Sequence, residues 1–220
     1  MSKNRKPQRN DTSAKAKFNA KPRKSKKGEG IGTYLGIEHD SYEELSFLFW
    51  VEEVKRQGYI TAIRRSESFL LCDGITNHYA EQLKTKSKPM TQLLAHGHSY
   101  TPEFVITWDI KKARDKFVWI LGSECKHDKL FVAHRVPDDP TICKTYIEVK
   151  PSFDFGNMTR LATINIKWVY QKYSIFINMV KPKELFAKTF APNKFLITST
   201  GKARKLDYKP RTLYEYLNKR

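Results

Sequence analysis

Glu103, Glu148 and Lys150 are the side chains whose types and spacing point most directly to chemistry. Glu148 and Lys150 lie in Tyr146-Ile147-Glu148-Val149-Lys150, and Glu103 lies in Tyr100-Thr101-Pro102-Glu103-Phe104-Val105-Ile106. Both stretches read as strands. A side-chain period of two puts Ile147 and Val149 on one face of the later strand and Tyr146, Glu148 and Lys150 on the other, so a carboxylate and an ammonium stand side by side. In the earlier strand Phe104 and Ile106 face one way and Glu103 the other. Pro102 sits at the entrance, where its missing N–H costs least. If the two strands pair, Glu103 and Glu148 converge. Two carboxylates with a neighbouring lysine match the needs of phosphodiester hydrolysis with a hard divalent cation: oxygen ligands for the ion and a positive charge for the attacking water. A Glu-x-Lys pair in an apolar run also arises as a plain salt link on a solvated strand face.

The elements that must position these residues belong to a chain of 220 residues, enough for one domain with appendages. Aromatics at 13% and hydrophobics at 40% can build one core, while a mean hydropathy of −0.62 keeps part of the chain wet. The formal charge of +18 and pI near 9.7 call for a polyanionic partner, because Lys and Arg gain affinity by releasing counterions condensed on nucleic acid. Neither a basic amphipathic helix nor a lipidation signal argues for a membrane instead. Residues 1–30 carry eleven Lys or Arg against Asp11 and Glu29. They read as a disordered basic arm, too charged and too polar to offset the entropy of ordering. Three cysteines, Cys72, Cys125 and Cys143, have no framework spacing and fit a reduced, cytoplasmic setting.

Order is expected from residue 31. A short extended stretch at Thr33–Ile37 precedes a helix capped by Asp40 or Ser41 and stopped by Gly58, with Leu45, Leu48, Trp50, Val51 and Val54 on its buried side. Glu44 lies at the edge of that stripe, and Glu52 and Glu53 point outward. Extended segments at Tyr59–Ile63 and Ser68–Leu71 bracket Arg64 and Arg65. A polar connection over 73–98 reads as a mobile loop with a short helix at Asn77–Leu83. Strands follow at Phe104–Trp108, Phe117–Leu121, Leu130–Val136 and Tyr146–Val149. A helix over Asn157–Lys172, buried through Leu161, Ile164 and Trp168, leads to a strand at Ile175–Val180. Strand, helix, strand implies a parallel crossover. The tail from Lys181 shows no period that places it.

In order, an acid early in the first helix (Asp40-Ser41-Tyr42-Glu43-Glu44), then Tyr-Thr-Pro-Glu-Phe, then Ile-Glu-Val-Lys, then a helix and a strand, resembles the PD-(D/E)XK nuclease superfamily. The resemblance covers residues 33–180 and is nearest to its small phage and transposon branches, among them Holliday-junction resolvases and TnsA-like end-cleaving nucleases. It implies an α/β fold with a restriction-endonuclease-like mixed central sheet flanked by helices, here over residues 31–220 with a C-terminal extension. It implies a Mg²⁺- or Mn²⁺-dependent endonuclease acting on DNA. By resemblance Glu44, Glu103 and Glu148 hold the ion, the Val149 carbonyl assists, and Lys150 positions water. Two departures stand out: Glu103 replaces the usual aspartate, and the long gap to Glu148 implies an extra hairpin around Cys125–Asp139.

Asp109 shares the parity of Glu103, but six residues of regular strand separate the two by about 20 Å, so they cannot share an ion. Lys167 and Gln171 share a helix face and, with Arg64 and Arg65, are candidate DNA contacts. Cys125, His127, His134 and Cys143 could form a zinc set, although their spacing is not that of a zinc finger. His96 and His98 flank Gly97 and could meet a phosphate or simply decorate a loop. The rival to an enzyme is a non-catalytic nucleic-acid-binding protein whose acids are structural salt partners. Cutting both strands, or a junction, would favour a homodimer.

Overall fold

The computed structural model describes residues 32–114, 116–124, 131–153 and 157–218. The expected basic arm lies outside them. A hairpin of β1 (Gly32–Tyr34) and β2 (Ile37–His39) turns through Leu35 and Gly36, at φ 55° and 75°. It leads to Ser41, whose extended backbone and side-chain oxygen, accepting from the Glu44 N–H at 3.1 Å, cap α1 (Tyr42–Arg56). Phe47, Leu48, Trp50, Val51 and Val54 give α1 a buried face, and Gly58 at φ 73° turns the chain away. Glu52 and Glu53 do not point freely outward. Glu52 pairs with Arg56 and Lys194, and Glu53 accepts from the Asn193 N–H, because the C-terminal segment folds back over this side of α1.

After α1 come β3 (Ile60–Arg65), β4 (Phe69–Cys72), β5 (Ile75–Gln82), β6 (Ser87–Ala95), β7 (His98–Tyr100) and β8 (Phe104–Asp109). Then follow the short helix α2 (Ile110–Ala113), β9 (Val118–Ile120), β10 (Phe131–Val136) and β11 (Asp139–Val149). The chain continues through α3 (Met158–Tyr173), β12 (Ile177–Val180), α4 (Pro182–Lys188), α5 (Asn193–Leu196) and α6 (Leu213–Leu217). The central sheet runs β3-β8-β11-β10-β9, with β12 also on β11. It is mixed: β8 is antiparallel to β3 and β11, while β12 is parallel to β11 across the α3 crossover, as that connection requires. The long gap between the two acidic strands holds α2, β9 and β10, and β10 forms a hairpin with β11.

Both faces of the sheet are covered, and β11 is buried on both. Ile147 and Val149 join the larger core with Trp50, Trp108, Phe117 and Phe131 on the α1 side. Tyr146 joins a second core with Phe69, Ile166, Val169 and Ile177 on the α3 side. The tail belongs to the main core through Phe186, Phe190, Phe195 and Leu213.

Two expectations are corrected. The 73–98 connection holds the β5–β6 hairpin, not a helix at Asn77–Leu83. Ile75, Thr76 and Tyr79 favour extended backbone, and residues 87–95 supply cross-strand partners that a short isolated helix would lack. On α3 the phase is one residue off. Leu161, Ile164 and Trp168 are exposed, and Ala162, Asn165, Ile166 and Val169 face the sheet. Apolar residues occur all round this helix, so hydrophobicity alone does not fix its rotation. His98 Nε2, 3.0 Å from Asn165 Oδ1, helps to set it.

Candidate functional site

The register of β8 against β11 pairs Phe104 with Ile147, so Glu103 and Glu148, the next residues outward, meet at the end of the ladder. On the other side of β8, Arg65 pairs with Phe104, and the Ser66 N–H donates to the Glu103 carbonyl at 3.3 Å. The third acid comes from α1. Glu44 is the third residue of the helix, and its carboxylate reaches back to the Ser41 hydroxyl at 3.1 Å and the Asp40 N–H at 3.2 Å. A capping geometry thus fixes the carboxylate at the positive end of the helix.

Glu44, Glu103, Val149 and Lys150 line one cleft of about 310 Å³, with Glu43, Phe153 and Met158 on its walls. Glu148 lies beneath, 3% exposed, in a 2.5 Å ion pair with Lys150. Among the described residues its Oε2 and the Tyr100 hydroxyl, both buried, make no hydrogen bond of full geometry, although the two groups approach each other. Burial, then Glu148 through its charge and its hydrogen-bonding approach, and last the Glu103 charge raise the Tyr100 hydroxyl pKa. Arg65 donates to Glu103 Oε2 at 2.8 Å and lies 3.0 Å from Glu44 Oε2. Among the described residues, no three His, Cys, Asp or Glu side chains form a ready ion cage. Arg65 stands between Glu44 and Glu103, and Lys150 holds Glu148.

By chemical type the carboxylate oxygens of Glu44, Glu103 and Glu148 are the donors that a hard divalent ion takes, and a resident cation sits among them.

Burial, then the Glu44 and Glu148 charges, push the Glu103 carboxyl up to about 7, against the pull of Arg65 and Lys150. The folded value lies above the reference of 4.5, so the native state holds this proton more tightly than the unfolded chain. Its contribution to stability is therefore complete below about 4.5 and is lost as pH rises through about 7. The melting temperature in EDTA should fall between pH 5 and 8 more steeply for the wild type than for Glu103→Gln, and parallel profiles would contradict this. Divalent-ion affinity should rise over the same interval, because loading expels the proton.

Glu44→Gln keeps an oxygen for the cap but removes the charge. Mn²⁺ affinity should fall by about tenfold or more while the melting temperature changes little. Glu43→Gln, on the cleft wall and outside the ion pairs found among the described residues, should matter much less, as should Glu52→Gln, about 12 Å further along α1 than Glu44. Titration calorimetry of the three variants checks the order.

The other expected site residues lie elsewhere. Asp109 caps α2, accepting from the Lys111 and Lys112 N–H groups. Arg64 pairs with Glu67. Lys167 and Gln171 are exposed on α3, about 14 and 20 Å along the axis from Met158, the α3 residue at the cleft. The zinc set does not assemble on its described members. Cys143 is buried in the main core, whereas His134, paired in register with the next residue, Lys144, faces the opposite side and bonds the Phe176 backbone. Cys125 and His127 lie outside the described residues. Sequence reasoning missed the bridging place of Arg65 and the approach of Tyr100 to Glu148.

Comparison with protein-family models, curated proteins and solved structures gives no match. No helix among the described residues is long and apolar enough to cross a membrane.

Proposed function

We propose that this protein is a divalent-metal-dependent endonuclease that hydrolyses DNA phosphodiester bonds, built on a restriction-endonuclease-like form of the mixed α/β fold. The observation that carries this reading is the meeting of Glu44, Glu103 and Lys150 in one cleft with Glu148 beneath it. Glu44, Glu103 and Glu148 would hold Mg²⁺ or Mn²⁺, with the Val149 carbonyl as a further oxygen donor. When bound, the ion supplies Lewis-acid polarisation of the phosphate and charge stabilisation at the attacking and leaving oxygens. Lys150 would orient a water and favour its ionised form, since it lines the cleft directly after the strand that bears Glu148. The basic balance of the chain, +18 overall, draws the phosphate backbone to the cleft without reading its sequence.

One observation favours a second reading. Arg65 and Lys150 neutralise part of the acid cluster, as structural salt partners would in a non-catalytic nucleic-acid-binding protein. A cleavage assay on linear duplex, flap, four-way-junction and DNA-end substrates with Mg²⁺, Mn²⁺ or EDTA separates the two. The nuclease reading expects strand scission with either ion and none in EDTA. Binding without scission on every substrate would leave the second reading standing. Cutting of both strands at opposed positions would call for two sites, as in a homodimer.

A further inference from the structure

Four carboxylates, Asp40, Glu44, Glu103 and Glu148, share two cations, Arg65 and Lys150, at the end of the sheet. Lys150 is in contact with Glu148 and acts on Glu103 from farther off. Arg65 serves the other three, at 2.8 Å from Glu103, 3.0 Å from Glu44 and 3.6 Å from Asp40, so its fork spans the gap between the helix acid and the strand acid. Its position is built rather than incidental. The backbone of Arg65 is paired with Phe104, and its guanidinium carbon lies 4.9 Å from the Phe104 ring centroid. The side chain is still 33% exposed, and Arg65 is the last residue of its strand, so the guanidinium has a route to solvent. Its single charge is shared by three carboxylates, a deficit that a divalent ion would correct.

The geometry points to Arg65 as an exchangeable counter-ion: it holds Glu44 and Glu103 apart in the metal-free protein, yields its place between them to the divalent ion, and turns to a DNA phosphate at the cleft rim. This exchange rests on the metal-dependent reading of the cleft. It makes DNA binding and ion loading mutually supportive, because each gives Arg65 or the acids the partner that the other removes. An arginine suits the part, since its planar fork can pair two carboxylate oxygens in one state and a phosphate in the other.

Mn²⁺ titration calorimetry of the full chain, without DNA, tests the exchange in the wild type, Arg65→Ala and Arg65→Gln. Both variants should bind Mn²⁺ more tightly, on the order of tenfold, because a competing cation is gone. The melting temperature in EDTA should drop in both, and saturating Mn²⁺ should raise it by more than in the wild type. Duplex binding with Ca²⁺ in place of Mn²⁺ should weaken in both, with a salt slope lower by about 0.9 for one lost phosphate contact. If Arg65→Ala destabilises the fold too far to titrate, Arg65→Gln, which keeps much of the side chain, carries the measurement. Wild-type Mn²⁺ binding with equal or weaker binding in the variants would overturn the exchange and leave the metal reading intact. Absence of Mn²⁺ binding in all three proteins would overturn both.

Discussion

Glu148→Ala should abolish hydrolysis together with tight metal binding, whereas Lys150→Ala should abolish hydrolysis while metal binding persists. The two side chains are 2.5 Å apart and 4% and 14% exposed, so each is the other's principal counter-charge in a dry setting. Removing the carboxylate takes away an ion ligand, and Mn²⁺ affinity should fall by more than the roughly 10–100-fold typical of an outer-shell change. Removing the ammonium leaves the ligands in place but strips the charge beside the water and the scissile phosphate, and turnover should drop by about 10²–10³-fold or more. Without metal, DNA binding should hold or tighten in Glu148→Ala, since repulsion is relieved. It should loosen slightly in Lys150→Ala, by one contact's share of the salt slope, about 0.9. Breaking a buried pair costs about 3–5 kcal/mol, and here the heavier loss should fall on Lys150→Ala, because the Lys150 stem can carry its charge towards water while Glu148 cannot move. A purely structural salt link predicts stability losses in both variants with metal binding unchanged. Calorimetric Mn²⁺ titration, thermal melting and cleavage on both proteins decide it. Wild-type metal affinity and full activity in Glu148→Ala would sink the nuclease proposal.

Trp50→Ala should remove roughly 3–5 kcal/mol, a large part of the 5–15 kcal/mol that holds a typical domain. Trp50 is fully buried in α1. Phe47, Trp108, Phe117, Phe131 and Phe190 surround it with centroids 5.6–6.5 Å away. Its indole N–H donates to the Thr189 hydroxyl at 3.1 Å, and that hydroxyl donates in turn to the Leu185 carbonyl at 2.7 Å. Alanine would leave a large cavity where the sheet, α1 and the C-terminal segment meet, while Trp50→Phe should cost much less because most of the packing survives. Denaturant unfolding measures both. A loss below about 1 kcal/mol for Trp50→Ala would mean that the C-terminal segment does not close over α1.

Trp50 also marks where sequence patterning stops being informative. The helix that bears it was legible because Ser41, the first-turn acids, the apolar spacing and Gly58 all agree. Most central strands were legible because their apolar runs are short and bounded by charged turns. The tail was not, since Phe186, Phe190 and Phe195 enter the core singly from short helices and a loop that carry no period. The rotation of α3 was not, because Leu161, Ile164 and Trp168 are more apolar than the Ala162, Asn165, Ile166 and Val169 that actually face the sheet. At the cleft, Glu103, Glu148 and Lys150 could be picked out by order and strand parity, and Glu44 by its place in the helix. Arg65 could be picked out as a candidate DNA contact but not as a bridge between acids, because its partners lie 21, 25 and 38 residues away and nothing local announces them.

The two-sided burial of β11 makes assembly of the cleft an all-or-nothing outcome of folding. Shifting β11 by one residue against β8 would drive Glu148 into the apolar layer beside Trp108 and take Ile147 out of it, so each slipped alignment loses core packing and buries an unpaired charge together. The same alignment that satisfies the core also brings Glu103 opposite Glu148. A chain trapped in the wrong alignment therefore cannot keep a sound core around a scrambled cleft, and recovery of high-affinity ion binding during refolding should track recovery of the native tryptophan environment in a single kinetic phase.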